Sequence, residues 1–508
     1  MRRILALSAL CALAAQAQTF ITYEDFGAVG DGKTDDQEAI VKAHAAANER
    51  GIPVRAGDGK TYYIGPAPRT AIIRTDVDFG TAKFIIDDVS VALKDRGAAV
   101  FSVEPSAKHF SVKGVTTLKR GQDNLGVTLP SPCLLVAVNK NVKHYIRYGG
   151  NQNHGSPQRE VLLADASGTI DPRAPVVWDF AAVTSLTAYP IDAKPLTLRG
   201  GVFTTIANQA ESKYTYHARN IRISRSNVTI EGIRHLVTGE LDHGAPYGGF
   251  LAIGTCANVT VSNSTFTAHR TYRTIGNAGT PVSMGSYDLS VNTAVNVSFV
   301  HCRQTTDILD HRYWGLFGSN YCKNLLYDDC VFSRFDAHMG VANATVRNSV
   351  MGHMGINAIG FGTFLVENST VLCSNFINLR GDYGSTWEGE FIIRNCVFKP
   401  GAGRPNVRGN LVHGSYSGQH DFGYPCHMPR RIVVDGLRVE DGNHPASYDG
   451  PALFSEFNAK YTSADYVEKY PYHPTEEVVL KNVVTASGKP FQLNPKAYLF
   501  RNVKVTRE

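Results

Sequence analysis

Four short stretches, NLLYDDCVF from Asn324, ATVRNSVM from Ala344, TFLVENSTV from Thr363 and EFIIRNCVF from Glu390, repeat one pattern. Apolar and polar residues alternate in each, and period two is the signature of a strand with one buried face. The step from Asp329 to Asn348 is 19 residues and that from Asn348 to Asn368 is 20. Helical-hairpin repeats need ~33 residues or more, so a period this short reads as one turn of a coil of stacked strands. The same pattern stands earlier, in NVTIEGIRHL from Asn227, NVTVSNSTF from Asn258 and NVSFVHCRQ from Asn296. Weaker copies follow in RIVVDGLRV from Arg431, EVVLKNVV from Glu477 and AYLFRNVKV from Ala497. The fold class this predicts is all-β, a single-stranded parallel β-helix, with the longer turns carrying loops that build a site on one face.

Register follows from the alignment. Ser264, Cys302, Cys330, Ser349, Ser369 and Cys396 fall in one column, with Phe266, Phe332, Met351, Val371 and Phe398 two residues on. Both columns point inward. Stacked strands ~4.8 Å apart with parallel side chains suit the disulfide dihedral poorly, so Cys302, Cys330 and Cys396 are expected as buried thiols.

Upstream, residues 25–36 read DFGAVGDGKTDD and are followed by QEAIVKAHAAANERG. Thr34 or Asp35 can cap a helix here, Ile40, Val41, His44 and Ala47 share one face, and Gly51 ends it. This segment resembles the opening of the pectate-lyase superfamily of right-handed parallel β-helices, where such a helix caps the coil. The resemblance implies a right-handed coil with an N-terminal α-helical cap, of the kind found in secreted bacterial polysaccharide lyases, glycoside hydrolases and phage tailspikes. Before it, MRRILALSALCALAAQAQ combines two arginines, an apolar run and Ala15-Gln16-Ala17, the pattern of a cleaved secretory signal. Residues 1–17 are therefore expected to be a signal peptide, and the protein to act in the periplasm, at the cell surface or outside the cell.

The 508 residues would make about three ordinary domains at ~150 each. A coil grows by rungs instead, so 18–508 is expected as one domain. Within it, 18–65 is the cap segment, 227–400 the clearest rungs, 401–430 an inserted loop and 431–508 the C-terminal rungs. A polar, aromatic loop, HYIRYGGNQNHG, runs from His144 to Gly155. Charged residues are 19% of the chain and net charge is +6, without a Lys/Arg stripe, so nucleic acid is not an expected partner. No later run of apolar residues is long enough for a membrane helix. A monomer is expected.

The second strands of the rungs point to chemistry. Aligning GGFLAI (248–253), GTPVSM (279–284), RYWGLF (312–317), AHMGVA (337–342), INAIGF (356–361) and INLRGD (377–382) puts Phe250, Pro281, Trp314, Met339, Ala358 and Leu379 inward. Gly249, Thr280, Tyr313, His338, Asn357 and Asn378 then face outward, with Arg380 two residues beyond. Arg312, Arg334, His311 and His353 lie at the adjoining turns, and Tyr383 is near. Such a set suits β-elimination at a uronic acid, in which a carboxylate must be neutralised, a carbon acid deprotonated and the departing O4 protonated. His338 is the expected base, Tyr313 the acid, and Asn357 with Arg380 the carboxylate clamp; Arg312, Arg334, His353, Asn378, His311 and Tyr383 would bind substrate. In residue types the set is similar to the His/Tyr lyases of glycosaminoglycans. An acidic polysaccharide, glycosaminoglycan first and pectin-like polyuronate second, is the expected substrate.

Other readings stay open. The β-helix pectate lyases use Ca²⁺, and Asp307, Asp310, Asp328, Asp329 and Asp336 could supply ligands, although no cofactor is required by the sequence. A glycoside hydrolase would need two carboxyl groups at ~5–9 Å, available among Asp307, Asp310, Asp336 and Asp382. A non-catalytic glycan-binding or adhesive coil would use exposed aromatics, for which Tyr272, Tyr313, Tyr383 and Trp387 are candidates.

Overall fold

The computed structural model describes residues 19–415, 418–457, 466–494, 497–500 and 502–508. The expected signal peptide, 1–17, lies outside the described residues. Among the described residues, twenty-nine strands form one hydrogen-bonded network, in which strands pair in parallel with their counterparts one turn later. The architecture is an all-β parallel β-helix. Its first-strand column runs Val228, Val259, Val297, Leu325, Ala344, Phe364, Phe391, Ile432 and Val478, each directly across from the next. All nine are buried. Burying a Val, Leu, Ile or Phe side chain contributes ~1.5–3 kcal/mol, so the column alone is a large part of what holds the coil together.

The Ser/Cys column lies as the alignment placed it. Ser264, Cys302, Cys330, Ser349, Ser369 and Cys396 are each 2% exposed or less. All eight cysteines among the described residues are free thiols. The serines join the turns by accepting from the backbone one turn earlier, Cys330 N–H to Ser349 Oγ at 3.0 Å and Ser349 N–H to Ser369 Oγ at 3.1 Å.

Asparagine makes the tight turns. Asn227, Asn258, Asn296, Asn324 and Asn343 all have φ near +58°, a left-handed conformation that Asn tolerates better than other residues with a side chain. Their amides stack into a ladder: Asn258 donates to Asn227 at 2.9 Å, Asn296 to Asn258 at 2.9 Å, Asn324 to Asn296 at 2.8 Å and Asn343 to Asn324 at 3.3 Å.

The helix Gln37–Arg50 covers the N-terminal end, with Ile40, His44 and Ala47 buried and Gly51 in the left-handed C-cap. Its N-cap is Asp36, one residue later than expected, and the Asp36 carboxylate accepts from Val29 N–H (2.7 Å) and Gly30 N–H (3.1 Å) instead of from the helix. Strands flank the helix within the cap segment, so 18–65 is already part of the coil.

The longer segments add one element and correct two expectations. Residues 104–195 build a separate four-stranded antiparallel sheet, Phe110–Ser111, Cys133–His144, Ser156–Ala164 and Ser185–Pro190, around its own core of Leu118, Leu135, Leu162 and Phe180. Lys323 and Glu160, both 2% exposed and 2.6 Å apart, fasten that sheet to the coil. The 401–430 segment is not only a loop, because Asn410–His413 is a rung strand between Asn375–Leu379 and Ala452–Phe454. Finally, AYLF at 497–500 is a helical turn, and the last strand is Lys504–Arg507. Leu499 and Phe500 are buried, and over so few residues a period-two reading cannot separate such a turn from a strand.

Candidate active site

The second strands explain which expected residues meet. Pro281–Met284 folds back on Tyr272–Ile275 as an antiparallel hairpin, and Tyr313–Gly315 pairs antiparallel with His269–Arg270. Thr280 and Tyr313 therefore leave the outward column; the rung strands in their place are Tyr287–Asn292 and Phe317–Asn320. Apolar–polar alternation serves a hairpin as well as a rung, so the pattern could not choose. Further on the alignment holds, with Asn357 across from Asn378 and Ala358 across from Leu379. One turn earlier it is Asp336 that faces Asn357, because the register shifts between Phe332 and Arg334 and shifts back only between Ala337 and Val341.

Asp336 is the centre of a charged cluster. It binds Arg334 directly, and Arg380 Nη1 lies 3.4 Å from its Oδ2. Arg380 Nη2 is also 2.9 Å from Asp382 Oδ2, and Arg147 Nη2 is 2.7 Å from the same oxygen. Arg147 comes from the His144–Gly155 loop of the side sheet, which is pinned over the coil by Tyr148 N–H to Asp382 C=O at 2.9 Å. Three guanidiniums thus meet two carboxylates, leaving one positive charge in excess. Asp336 and Arg334 form the buried floor, and Arg334 Nε and Nη1 have no hydrogen-bond partner there. The side chains of Arg380, Asp382 and Arg147 are 15%, 20% and 21% exposed, so solvent reaches the cluster from one side. Burial would raise the Asp382 carboxyl, but Arg380 and Arg147 hold it well below the usual carboxylate range. Against its own burial, Arg380 is kept protonated by Asp382 and Asp336.

His338 stands at the rim. Its Nδ1 is 2.7 Å from Asn320 Oδ1, and Asn320 donates through Nδ2 to Asn292 Oδ1 at 2.7 Å. Because that donation fixes which end of the Asn320 amide faces the imidazole, Nδ1 must carry the hydrogen and Nε2 keeps its lone pair. Burial first, and then Arg380, push the His338 pKa well below that of a free imidazole. The ring is neutral at pH 7. Tyr383 packs edge-on at 5.2 Å, with Arg147 5.3 Å from the Tyr383 ring centre. Tyr287 leans over Gly318, where a Cβ would come within 2.8 Å of its ring, and it neighbours Arg380.

A second group gathers around 307–313. His311 and His353 have ring centres 4.6 Å apart and line a cavity of about 370 Å³ with Cys373 and Arg404. Burial and the neighbouring His311 lower His353 to about 4. Arg312 is 72% exposed and paired with Asp310 at 2.6 Å, and Tyr313 lies beside it. This group meets the first through Arg334, whose guanidinium is 5.0 Å from the Trp314 ring. The base and acid expected from sequence, His338 and Tyr313, therefore sit in different groups.

Other roles change as well. Asn357 Nδ2 faces Met354 C=O at 3.0 Å and Phe335 C=O at 3.5 Å, and its Oδ1 accepts from Asn378 at 2.6 Å. Committed to a stack, Asn357 has no donor left for a substrate carboxylate. Tyr272, Tyr383 and Trp387 are 6%, 3% and 0% exposed, which removes them as an aromatic glycan-binding surface. Asp328 is tied to Arg347 and Asn348, Asp329 to His301 and Arg303, and no group of three or more His, Cys, Asp or Glu among the described residues is placed to hold a metal. These aspartates do not fit a Ca²⁺ site. Sequence reading missed Arg147, Asn320 and Tyr287. Arg147 stood within the aromatic loop, the only visible hint; nothing marked the other two.

No family model matches the chain. Among solved structures, the tailspike gp61 of Pseudomonas phage phi297 superposes with a TM-score of 0.51 at 14% identity, covering 95% of this chain and 83% of that one. The gp54 tailspike of Acinetobacter baumannii bacteriophage AP22, solved with a capsular saccharide, gives 0.51 at 12% identity over 96% and 79%. A capsule depolymerase, KL64-specific, of a Klebsiella phage is 32% identical over 98 residues, 16% of this chain and 9% of that protein. The match thus spans under a tenth of that relative's length. No helix among the described residues is long and apolar enough to cross a membrane. At these identities the structural likenesses establish the fold, a parallel β-helix shared with phage tailspikes.

Proposed function

We propose that the protein is a polysaccharide lyase that cleaves a uronic-acid-bearing polysaccharide by β-elimination, on a right-handed, single-stranded coil of the pectate-lyase superfamily. The observation that carries this reading is a neutral imidazole with a free Nε2, set beside a cluster carrying one unneutralised positive charge. A uronate carboxylate would lie against Arg380 and Arg147, which stabilises the negative charge that builds when the adjacent C5–H bond breaks. His338 Nε2 takes that proton. The electron pair forms C4=C5 as the C4–O4 bond breaks, and Tyr287 donates its hydroxyl proton to O4. A substrate carboxylate also weakens the field of Arg380 on His338, so binding raises the basicity of the group that must act.

Hydrolysis is less well served. It needs one protonated and one ionised carboxyl group, whereas Asp336 and Asp382 share Arg380 and Asp382 is held ionised. Polymers in which uronate alternates with another sugar, as in glycosaminoglycans, come first as substrates. Pectin-like polyuronates come second, and capsular polysaccharides belong in the same panel because of the saccharides named for the phage relatives. Digestion of that panel should raise absorbance near ~232 nm, the signature of the unsaturated uronate that elimination leaves. New reducing ends without that absorbance would refute elimination in favour of hydrolysis.

A further inference from the structure

A second cavity, of about 370 Å³, opens between the side sheet and the coil. One wall is aromatic: Trp178 is half-buried, with its ring centre 4.6 Å from that of His144 and 5.9 Å from that of Tyr424. His144, 5% exposed, also forms the floor, and its Nδ1 is buried without a hydrogen-bond partner. Burial lowers its pKa to about 4, so the ring is neutral and can give or take one hydrogen bond. Asn139 and Gln158, 1% and 3% exposed, complete the floor and hold each other through a 3.2 Å bond. The rim carries Arg120, but both arms of its guanidinium are spent on Glu388, at 2.6 and 2.7 Å. Asp179 adds an exposed negative charge.

The chemistry of this cavity is the opposite of the arginine cluster's. It has no unpaired cation, a negative rim, a flat indole and an unsatisfied neutral hydrogen-bonding group. We propose that it is a subsite for an uncharged sugar, whose C–H face stacks on Trp178 while a hydroxyl or acetamido group meets the His144 imidazole on the floor. A uronate would be repelled at Asp179 and find no free guanidinium. The cavity shares a wall with the candidate active site: Tyr424 O–H donates to Tyr383 C=O at 2.7 Å, and the Tyr145 ring bridges the two at 4.9 and 5.9 Å. If the elimination reading holds, on which this extension rests, the two sites together select a polymer that joins neutral sugars to uronates.

Calorimetric titration of the full chain with cellotriose, maltotriose, mannotriose, tri-N-acetylchitotriose and trigalacturonate tests the subsite without turnover. At least one neutral trisaccharide should bind, and Trp178→Ala should weaken it ten-fold or more, while trigalacturonate binding depends on Arg147. Trp178→Phe guards against misfolding: it should keep the binding within a few-fold and abolish the fluorescence change that binding causes. Absence of binding by every neutral probe, affinity indifferent to Trp178→Ala, or a fluorescence change that survives in Trp178→Phe would overturn the proposal. Because the readout is binding, failure here leaves elimination untouched, and an absent ~232 nm product leaves the subsite untouched.

Discussion

Two side-chain ladders run up the same coil and end differently. The ladder of Asn227, Asn258, Asn296, Asn324 and Asn343 passes amide to amide over five rungs, each bond like the last. The ladder of Asn292 and Asn320 starts in the same way and then meets His338. In the first, each amide donates to the side-chain oxygen of the rung before it, so the stack stabilises turns. In the second, the imidazole donates its Nδ1–H to the last amide oxygen and leaves Nε2 unspent. A repeat that continues is architecture; where it breaks off against a different side chain, a reactive group is left over.

The largest effect expected from breaking this contrast is at His338. His338→Ala should lower kcat by ~10²–10⁴, the usual worth of a positioned general base, with melting temperature little changed. Kinetics beside a thermal melt would check it. Arg380→Ala should lose activity and also destabilise by about 3–5 kcal/mol, because Asp336 and Asp382 would be left buried with less compensation. Denaturant unfolding reads that cost.

How far the sequence reaches depends on whether a residue's neighbours are set by period or by loops. The Ser264–Cys396 column and the Phe266–Phe398 column were legible because period two and a 19–20-residue step admit one register when one face is buried. His338 was legible as an outward histidine, and Arg380 as its basic neighbour. Tyr313 was misplaced because a strand paired antiparallel beside the coil and a rung share the same alternation. Arg147 and the Trp178 cavity could not be seen, since 235 residues separate Arg147 from Asp382 and only the folded side sheet brings them together.

Smaller changes sharpen the comparison. Asn320→Ala frees the His338 tautomer and should cost about ten-fold in kcat, by analogy with groups that orient a reactive histidine, with little loss of stability. Asn324→Ala, in the continuous ladder, should do the reverse: unchanged kcat and a loss of about 1 kcal/mol, because Ala is strained at φ +59° and the stack is cut.

Stability should respond to pH in two directions. His44, His144 and His353 are lowered by burial to about 3, 4 and 4, and His338 is lowered well below its free value. Below ~6.5 the unfolded chain binds protons that the folded one refuses, so stability falls as pH drops from ~6.5 toward 4. For His269 burial again lowers the pKa, but Asp288 and Glu240 outweigh it and raise it to about 9, so its contribution is complete below ~6.5 and is lost as pH rises through about 9. Thermal melts across pH 4–10, ~3 units either side of neutrality, should therefore peak near neutral pH.

The most direct test of the account is the mass of the products released from a uronate-bearing polymer by the wild-type protein and by His338→Ala. The account predicts fragments whose new non-reducing end is one water lighter than a hydrolysis product, formed by the wild type and nearly absent with the variant. Fragments carrying the added water, or unsaturated fragments formed as fast without His338, would contradict it.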